Sequence, residues 1–353
     1  NIRKDIKAGQ QCMKMFTSGT TGLPKAAKIT NRRWLLAGTL AAVAGGLTPS
    51  DTVYCCLPLY HATGLLLGVG GAVIGESRLV LARKFSASRF WGDVRRHGVT
   101  VVFYVGELLR YLTAMPESAN EKTHPIRLLF GNGLRAPVWR DVMRRFGRLR
   151  VLEFYASTEG NVLLANLTGE KVGCVGRAPL PILDVELVRY NSEADELERG
   201  ADGHAIPCED GEPGLMIVQI HPLNPFSRFD GYTDTRATAA KILNNVFRVG
   251  DAWFSTGDML HRDADGDFWF VDRLGDTFRW KGENVSTQEV EAVLRDAPGI
   301  ADVAVYGVEI PGSEGRAGMA ALVLEPDLES LDGAALYQAL SALPDPARPR
   351  YVR

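Results

Sequence analysis

The sequence predicts a layered α/β protein with a mainly parallel sheet, then a distorted β-barrel subdomain, then a small α+β lid domain. Three observations carry this. Up to about residue 171, strand-like and helix-like stretches take turns. From Val172 onward, prolines, glycines and short aromatic-rich strands replace the helices. After Arg273 a capped helix precedes two more strands. The expected domains are therefore 1–171, 172–274 and 275–353. At 353 residues the chain is long enough for two or three domains around a large core.

The elements follow in order. "QCMKMFTS" (11–18) reads as a strand running into a loop, and "NRRWLLAGTLAAVAGGL" (31–47) as a helix capped by Asn31 and ended by glycines. Strands are expected at 52–60, 77–83, 99–106, 126–133 and 150–157, alternating with helices at 62–75, 86–97, 107–115 and 137–146. The apolar stretches 35–47 and 64–75 are too short to span a bilayer and rich in Gly and Ala, so they read as buried helices. "ILDVELVRY", "GLMIVQI", "NVFRV", "WFSTGDMLHRD" and "DFWFVDR" supply the short strands of the barrel-like part. Ser286 and Glu289 form a capping box before "TQEVEAVLRDA", which Pro298-Gly299 stops; "DVAVYGVEI" and "GMAALVLEP" are strands.

Composition excludes several classes. A net charge of −2, with basic residues scattered, offers no field for nucleic acid. Cys12, Cys55, Cys56, Cys174 and Cys208 contain no C-x-x-C pair and read as reduced, mostly buried thiols of a cytosolic protein. The six histidines show no metal-ligand spacing, so no metal cluster is expected. No secretory signal is evident in "NIRKDIKAGQ". The excess of arginine over lysine suggests a GC-rich, bacterial source.

"FTSGTTGLPKAAKIT" (16–30) concentrates Ser, Thr and Gly and ends in Lys25. Free backbone N–H groups, hydroxyls and an ammonium are what a phosphate needs. The spacing is not that of a Walker A loop, because Gly19 and Gly22 are three apart and Pro24 precedes the lysine. A solvated turn is the plain alternative. Other polar residues stand at strand ends. His61 follows a strand in "LPLYHATG", where a lone histidine is more often structural. Thr158 and Glu159 follow one in "YASTEG", and a carboxylate beside a phosphate loop suits Mg2+. Asp258 in "FSTGD" suits ribose hydroxyls, and Arg273 in "VDRLGD" ribose or phosphate.

Taken in order, "TSGTTGLPK", "LPLYHATG", "GNGL", "YASTEG", "WFSTGD" and "DRLGDTFRWKGENVST" resemble the adenylate-forming superfamily of acyl-CoA synthetases, adenylation domains and luciferases. "YVGELLRYL", "FDGYTDTRATAAKI" and "DRLGDTFRWKGENVSTQEVE" look like its fatty acid transport protein, or very-long-chain acyl-CoA synthetase, group. The resemblance implies activation of a long- or very-long-chain fatty acid to acyl-AMP, then transfer to CoA, with ATP, Mg2+ and CoA as the small molecules. It implies that Thr17, Ser18, Gly19, Thr20, Thr21, Gly22 and Lys25 cradle the ATP phosphates. Gly131, Asn132 and Gly133 would wall the adenine slot, with Tyr155, Ala156 and Ser157 opposite. Thr158 would touch the α-phosphate, Glu159 hold Mg2+, and Asp258 and Arg273 hold the ribose. His61 would guard the acyl carboxylate, and Lys281, Gly282 and Glu283 would line the path of CoA. The resemblance also implies that the lid turns at a hinge, here Gly275, where glycine tolerates unusual backbone angles. Glu107 and Arg110 are expected to form a buried salt bridge without a catalytic role.

The chain stops at "LPDPARPRYVR", before the lysine that such lids carry for adenylation, and only about fifteen residues precede the phosphate loop. An internal fragment of a longer enzyme is expected. Two rivals stand beside the ligase: a lipid-binding or uptake protein on the same fold, and an adenylating domain that loads a carrier protein. The reading places the protein in the cytoplasm and admits peripheral association at the inner face of the plasma membrane.

Overall fold

The structure, a computed structural model, describes residues 5–17, 24–147, 149–179, 183–191, 194–221, 223–224, 226–274, 276–280, 283–310, 315–326, 328 and 330–353. The chain forms two compact units. One comprises residues 1–185, 218–256 and 263–269; the other comprises 186–217, 257–262 and 270–353.

The first unit opens with β1 (Gln11–Thr17) and β2 (Lys25–Thr30), antiparallel, with Thr17 opposite Lys25. Then come α1 (Asn31–Gly45), β3 (Thr52–Cys55), a π-helical stretch (Thr63–Val69), α2 (Gly70–Ile74), β4 (Arg78–Leu81) and α3 (Ala87–His97). The alternation continues with β5 (Val101–Val105), α4 (Gly106–Ala114), β6 (Leu128–Asn132), α5 (Ala136–Phe146), β7 (Arg150–Ala156) and β8 (Leu163–Asn166). The sheet order is β4-β3-β5-β6-β7-β8, parallel except for β8. Val101, Val102, Phe103, Leu128, Leu129, Val151 and Leu152 are buried, as parallel strands covered on both faces must be.

Several boundaries differ from the expected ones. The cap of α1 is Thr30, whose Oγ1 accepts from Arg33 N at 3.3 Å, while the Asn31 amide donates to Lys7 O at 3.1 Å. Gly46, at φ 56°, ends that helix as expected. The strand expected at 52–60 stops at Cys55, before Pro58. The helix expected at 62–75 is π-helical in its first half. Glycines there meet other backbone: a Cβ on Gly64 would lie 2.7 Å from Pro58 O, and one on Gly38 of α1 2.9 Å from Gly70. Only glycine permits that α1–α2 approach.

The strand-rich region contains β9 (Val185–Val188), β10 (Tyr190–Asn191), β11 (Glu196–Leu197), β12 (Gly214–Gln219), α6 (Thr235–Ala239), β13 (Ile242–Asn244), β14 (Ala252–Arg262) and β15 (Phe268–Arg273). Its main sheet runs β13-β14-β12-β9, with β15 beside β14. The end of the second unit is the α+β part: β16 (Phe278–Trp280), β17 (Glu283–Val285), α7 (Thr287–Arg295), β18 (Ile300–Glu309), β19 (Arg316–Leu324), α8 (Gly333–Leu340) and β20 (Tyr351–Val352). Phe278, Val290, Leu294, Val303, Val305, Ala317 and Ala320 form its core. Ser286 Oγ accepts from Glu289 N at 3.3 Å, which is half of the expected capping box. Buried Asp272 also holds the start of α7, accepting from Thr287 N at 2.6 Å and Oγ1 at 3.1 Å.

Among the described residues, an ion pair lies inside the first unit. Arg145 of α5 and Glu121 are both buried, at 3% and 4% side-chain exposure, and meet at 2.6 Å. A buried partner left alone is costly. Arg145→Met is expected to destabilise the chain by ~3–5 kcal/mol, read as a fall in the denaturant midpoint, whereas replacing both partners with apolar residues costs much less.

Candidate functional site

The site grows from the carboxyl ends of β6 and β7, where open parallel sheets bind ligands. β7 ends at Ala156, and Ser157, Thr158 and Glu159 follow. Ser157 Oγ accepts from Gly160 N at 3.0 Å, and a Cβ on Gly160 would strike both that hydroxyl and the Phe254 ring. This turn therefore requires glycine.

Residues 231–233 are laced along β2. Lys28 N donates to Gly231 O at 3.0 Å, and Thr233 N to Ala26 O at 2.9 Å. Buried Tyr232 thereby sends its hydroxyl to Glu159 Oε1 at 2.6 Å. Burial, and the charge of Glu159, push that phenol well above its ordinary pKa, so it stays a donor. Lys25 Nζ lies 5.9 Å from the Tyr232 ring centroid. Arg33 Nη2 donates to Ser157 O at 2.9 Å; burial lowers its pKa, and Asp230 and Glu159 oppose that. Thr17, Lys25, Ser157 and Glu159 are thus tied to one framework.

The second wall is the turn Gly131–Leu134. Thr63 Oγ1 donates to Asn132 Oδ1 at 3.1 Å, which links it to the segment that carries His61. His61 is exposed, with its ring 4.7 Å from that of Tyr60. Beneath the turn, Glu153 Oε1 accepts from Leu134 N at 2.9 Å, and the Gly133 N–H also donates to this carboxyl. Tyr104 donates its hydroxyl to the other oxygen. Burial pushes the Glu153 carboxyl up to about 8, against those hydrogen bonds. Tyr155 and Thr158 are half-buried and Ala156 is exposed.

The other unit brings Asp258 and Arg273 together. The Arg273 Nε to Asp258 Oδ1 distance is 3.5 Å, and Leu274 N donates to Gly257 O at 2.8 Å. Ser18, Gly19, Thr20, Thr21, Gly22, Gly275, Lys281 and Gly282 lie outside the described residues, as does the side chain of Glu283. Glu107 and Arg110 do pair, but not in the interior. They are three residues apart on α4, and the side chains are 51% and 27% exposed, because that face of the helix turns to solvent. All five cysteines are free, with Cys12 exposed and the rest buried.

A carboxylate trio, Asp263, Asp265 and Asp267, is spaced closely enough for a metal. Lys171 Nζ stands among them at 2.9, 2.6 and 2.7 Å. The ammonium already supplies the positive charge.

Sequence reasoning missed Glu153, Tyr104, Arg33 and Tyr232. Glu153 had a signal: it is the single carboxylate in the apolar run "RVLEFYA". Tyr232 lies in "FDGYTD", whose wording was noticed but not its hydroxyl.

Comparison with known proteins shows the family. The profile of the AMP-binding enzymes matches residues 2–212, and that of the AMP-binding enzyme C-terminal domain residues 289–353. Long-chain fatty acid transport protein 5 of Mus musculus is 48% identical over 358 residues, covering 100% of this chain and 51% of that protein. Long-chain fatty acid transport protein 1 of Homo sapiens is 47% identical, covering 96% and 53%. The chain thus spans about half the length of these relatives. The structure of O-succinylbenzoate coenzyme A synthetase from Bacillus subtilis, in complex with ATP and magnesium ion, superposes with a TM-score of 0.76. It is 27% identical, over 98% of this chain and 66% of that one.

Glu153 makes stability depend on pH. Its carboxyl titrates near 4.5 when unfolded and near 8 when folded. Between those values the folded chain keeps a proton that the unfolded chain has released. The stabilisation is complete below 4.5 and is lost as pH rises through 8. The urea midpoint is expected to fall between pH 5 and 8.5, and Glu153→Gln to remove a few kcal/mol of that fall, in order of magnitude.

Proposed function

Starting from a chain that belongs to the AMP-binding enzyme family, we propose that it activates a long- or very-long-chain fatty acid with ATP and passes the acyl group to CoA. The observation that carries this is the clustering of Lys25, Tyr232 and Glu159 beside the Ser157–Gly160 turn, at the carboxyl end of a parallel strand.

The fatty carboxylate attacks the α-phosphorus of ATP. An oxygen–phosphorus bond forms, the bond to pyrophosphate breaks, and acyl-AMP results. The CoA thiolate then attacks the acyl carbon and AMP leaves with the bonding electrons. The chain's part is positioning and charge. Lys25 faces the negative phosphates, and Tyr232 fixes the Glu159 carboxylate by one oxygen. Among the described residues nothing else hydrogen-bonds that carboxylate, which suits it to a cation. Magnesium, when bound, supplies positive charge to the phosphate oxygens, and Glu159 is the residue that would hold it. Asp258 and Arg273, held as a pair, are suited to ribose hydroxyls. Lys281, Gly282 and Glu283 are proposed to line the path of CoA. We place the reaction in the cytoplasm, at or near the inner face of the plasma membrane. Five unpaired cysteines support the compartment, and the fatty substrate the nearby membrane. Among the described residues no helix is long and apolar enough to cross a membrane.

A second reading, fatty acid binding for uptake, draws on the relatives whose names are transport proteins. The test is fatty-acid-dependent exchange between ATP and pyrophosphate over a ladder of acids, on the whole protein and on this chain. Exchange with a long-chain optimum in the whole protein is expected, and Glu159→Gln is expected to cut it ~100-fold. Absence of exchange in both, with fatty acid still bound, would replace the ligase by the binding protein.

A further inference from the structure

Beyond the strand pairing of Gly131 and Asn132, the Gly131–Leu134 segment has little of its own to hold it. Gly131 and Gly133 carry no side chain, and Gly133 is left-handed at φ 77°. Ordering two glycines costs backbone entropy, so the shape has to be imposed from outside. The imposition comes from one cross-strand row. Tyr104 on β5 pairs with Gly131 on β6, which pairs with Glu153 on β7. Adjacent residues in a row point to the same face. Gly131 therefore leaves a gap across which the tyrosine hydroxyl reaches the glutamate carboxyl. A Cβ on Gly131 would collide with the Tyr104 carbonyl and ring. The same carboxyl accepts the successive N–H groups of Gly133 and Leu134. From the other side, a Cβ on Gly106 would collide with the Gly133 carbonyl.

Filling space does not require a carboxyl there. Glu153 is 2% exposed, and a buried carboxyl is costly unless its hydrogen bonds are needed. Two successive N–H groups turned onto one acceptor fix the direction of the peptide between them.

We propose that Glu153 is a positioning residue for nucleotide binding: it holds the Gly131–Leu134 turn in the shape against which the base of AMP or ATP lies, acting through the turn and not by contact. This rests on the adenylating reading of the same site. Tyr104 serves Glu153, and Thr63 holds the turn's outer side through Asn132.

The experiment measures AMP affinity by calorimetry and amide hydrogen exchange, residue by residue, for this chain and two variants. In Glu153→Leu the Gly133 and Leu134 amides are expected to exchange ~100-fold faster while Leu128 and Leu129 stay protected, with AMP affinity down ~10–100-fold. Glu153→Met, of similar length but without a strong acceptor, is expected to lose protection at the same two amides and to weaken AMP binding to the same extent. Wild-type affinity in a folded Glu153→Leu overturns the proposal. Should that variant fail to fold, a folded Glu153→Met with wild-type affinity overturns it equally. If the wild-type chain binds no AMP, the adenylating reading of this chain fails, and this proposal with it. Loss of amide protection in the variants would then leave only a structural clamp.

Discussion

The row Tyr104–Gly131–Glu153 is the constraint from which the first unit's binding end follows. Parallel strands share a register, and that register sets how far each reaches before it turns. Phe103, Phe130 and Leu152 are aligned one position earlier, and β7 runs two residues beyond the level at which β6 ends. The Gly131–Leu134 segment and the Ser157–Gly160 turn both leave the carboxyl end of the sheet. A slip of one residue would turn Glu153 to the opposite face and leave the turn N–H groups without their acceptor. The apolar rows beneath make such a slip expensive, because they too would change faces.

A second tie works through the backbone of β2. That strand is hydrogen-bonded along residues 231–233, which come from far along the chain. The pairing delivers Tyr232 to Glu159 and keeps Lys25 over the tyrosine ring. Neither the lysine nor the glutamate is placed by its own loop alone. The strand that carries Lys25 is held by main-chain bonds, and Glu159 by the Tyr232 hydroxyl, which suits groups whose task is to meet charge without rearranging.

Much of this was legible in sequence. Alternation gave the strand and helix order, and glycines marked the end of α1. Ordered polar motifs pointed to Lys25, Glu159, Asp258 and Arg273 as candidates, and the comparisons bear out the family. What escaped depends on tertiary placement. The π-helical turn at Thr63–Val69 follows from glycines pressed on other backbone, which periodicity does not encode. Thr30 displaces Asn31 as the cap because Asn31 is drawn to Lys7 O. Glu107 and Arg110 looked like an interior pair, yet three-residue spacing on a helix holds for surface pairs as well. Glu153 and Tyr232 act through partners 19 and 73 residues away, and no local pattern points across such distances.

Lys171 gives the hairpin between β14 and β15 an organic substitute for a mineral. Three carboxylates that would repel one another are drawn together by one ammonium, and Arg177 also pairs with Asp267 at 2.8 Å. The same grip raises the lysine's pKa. The trio is thus a brace between Lys171 and the turn that joins β14 to β15.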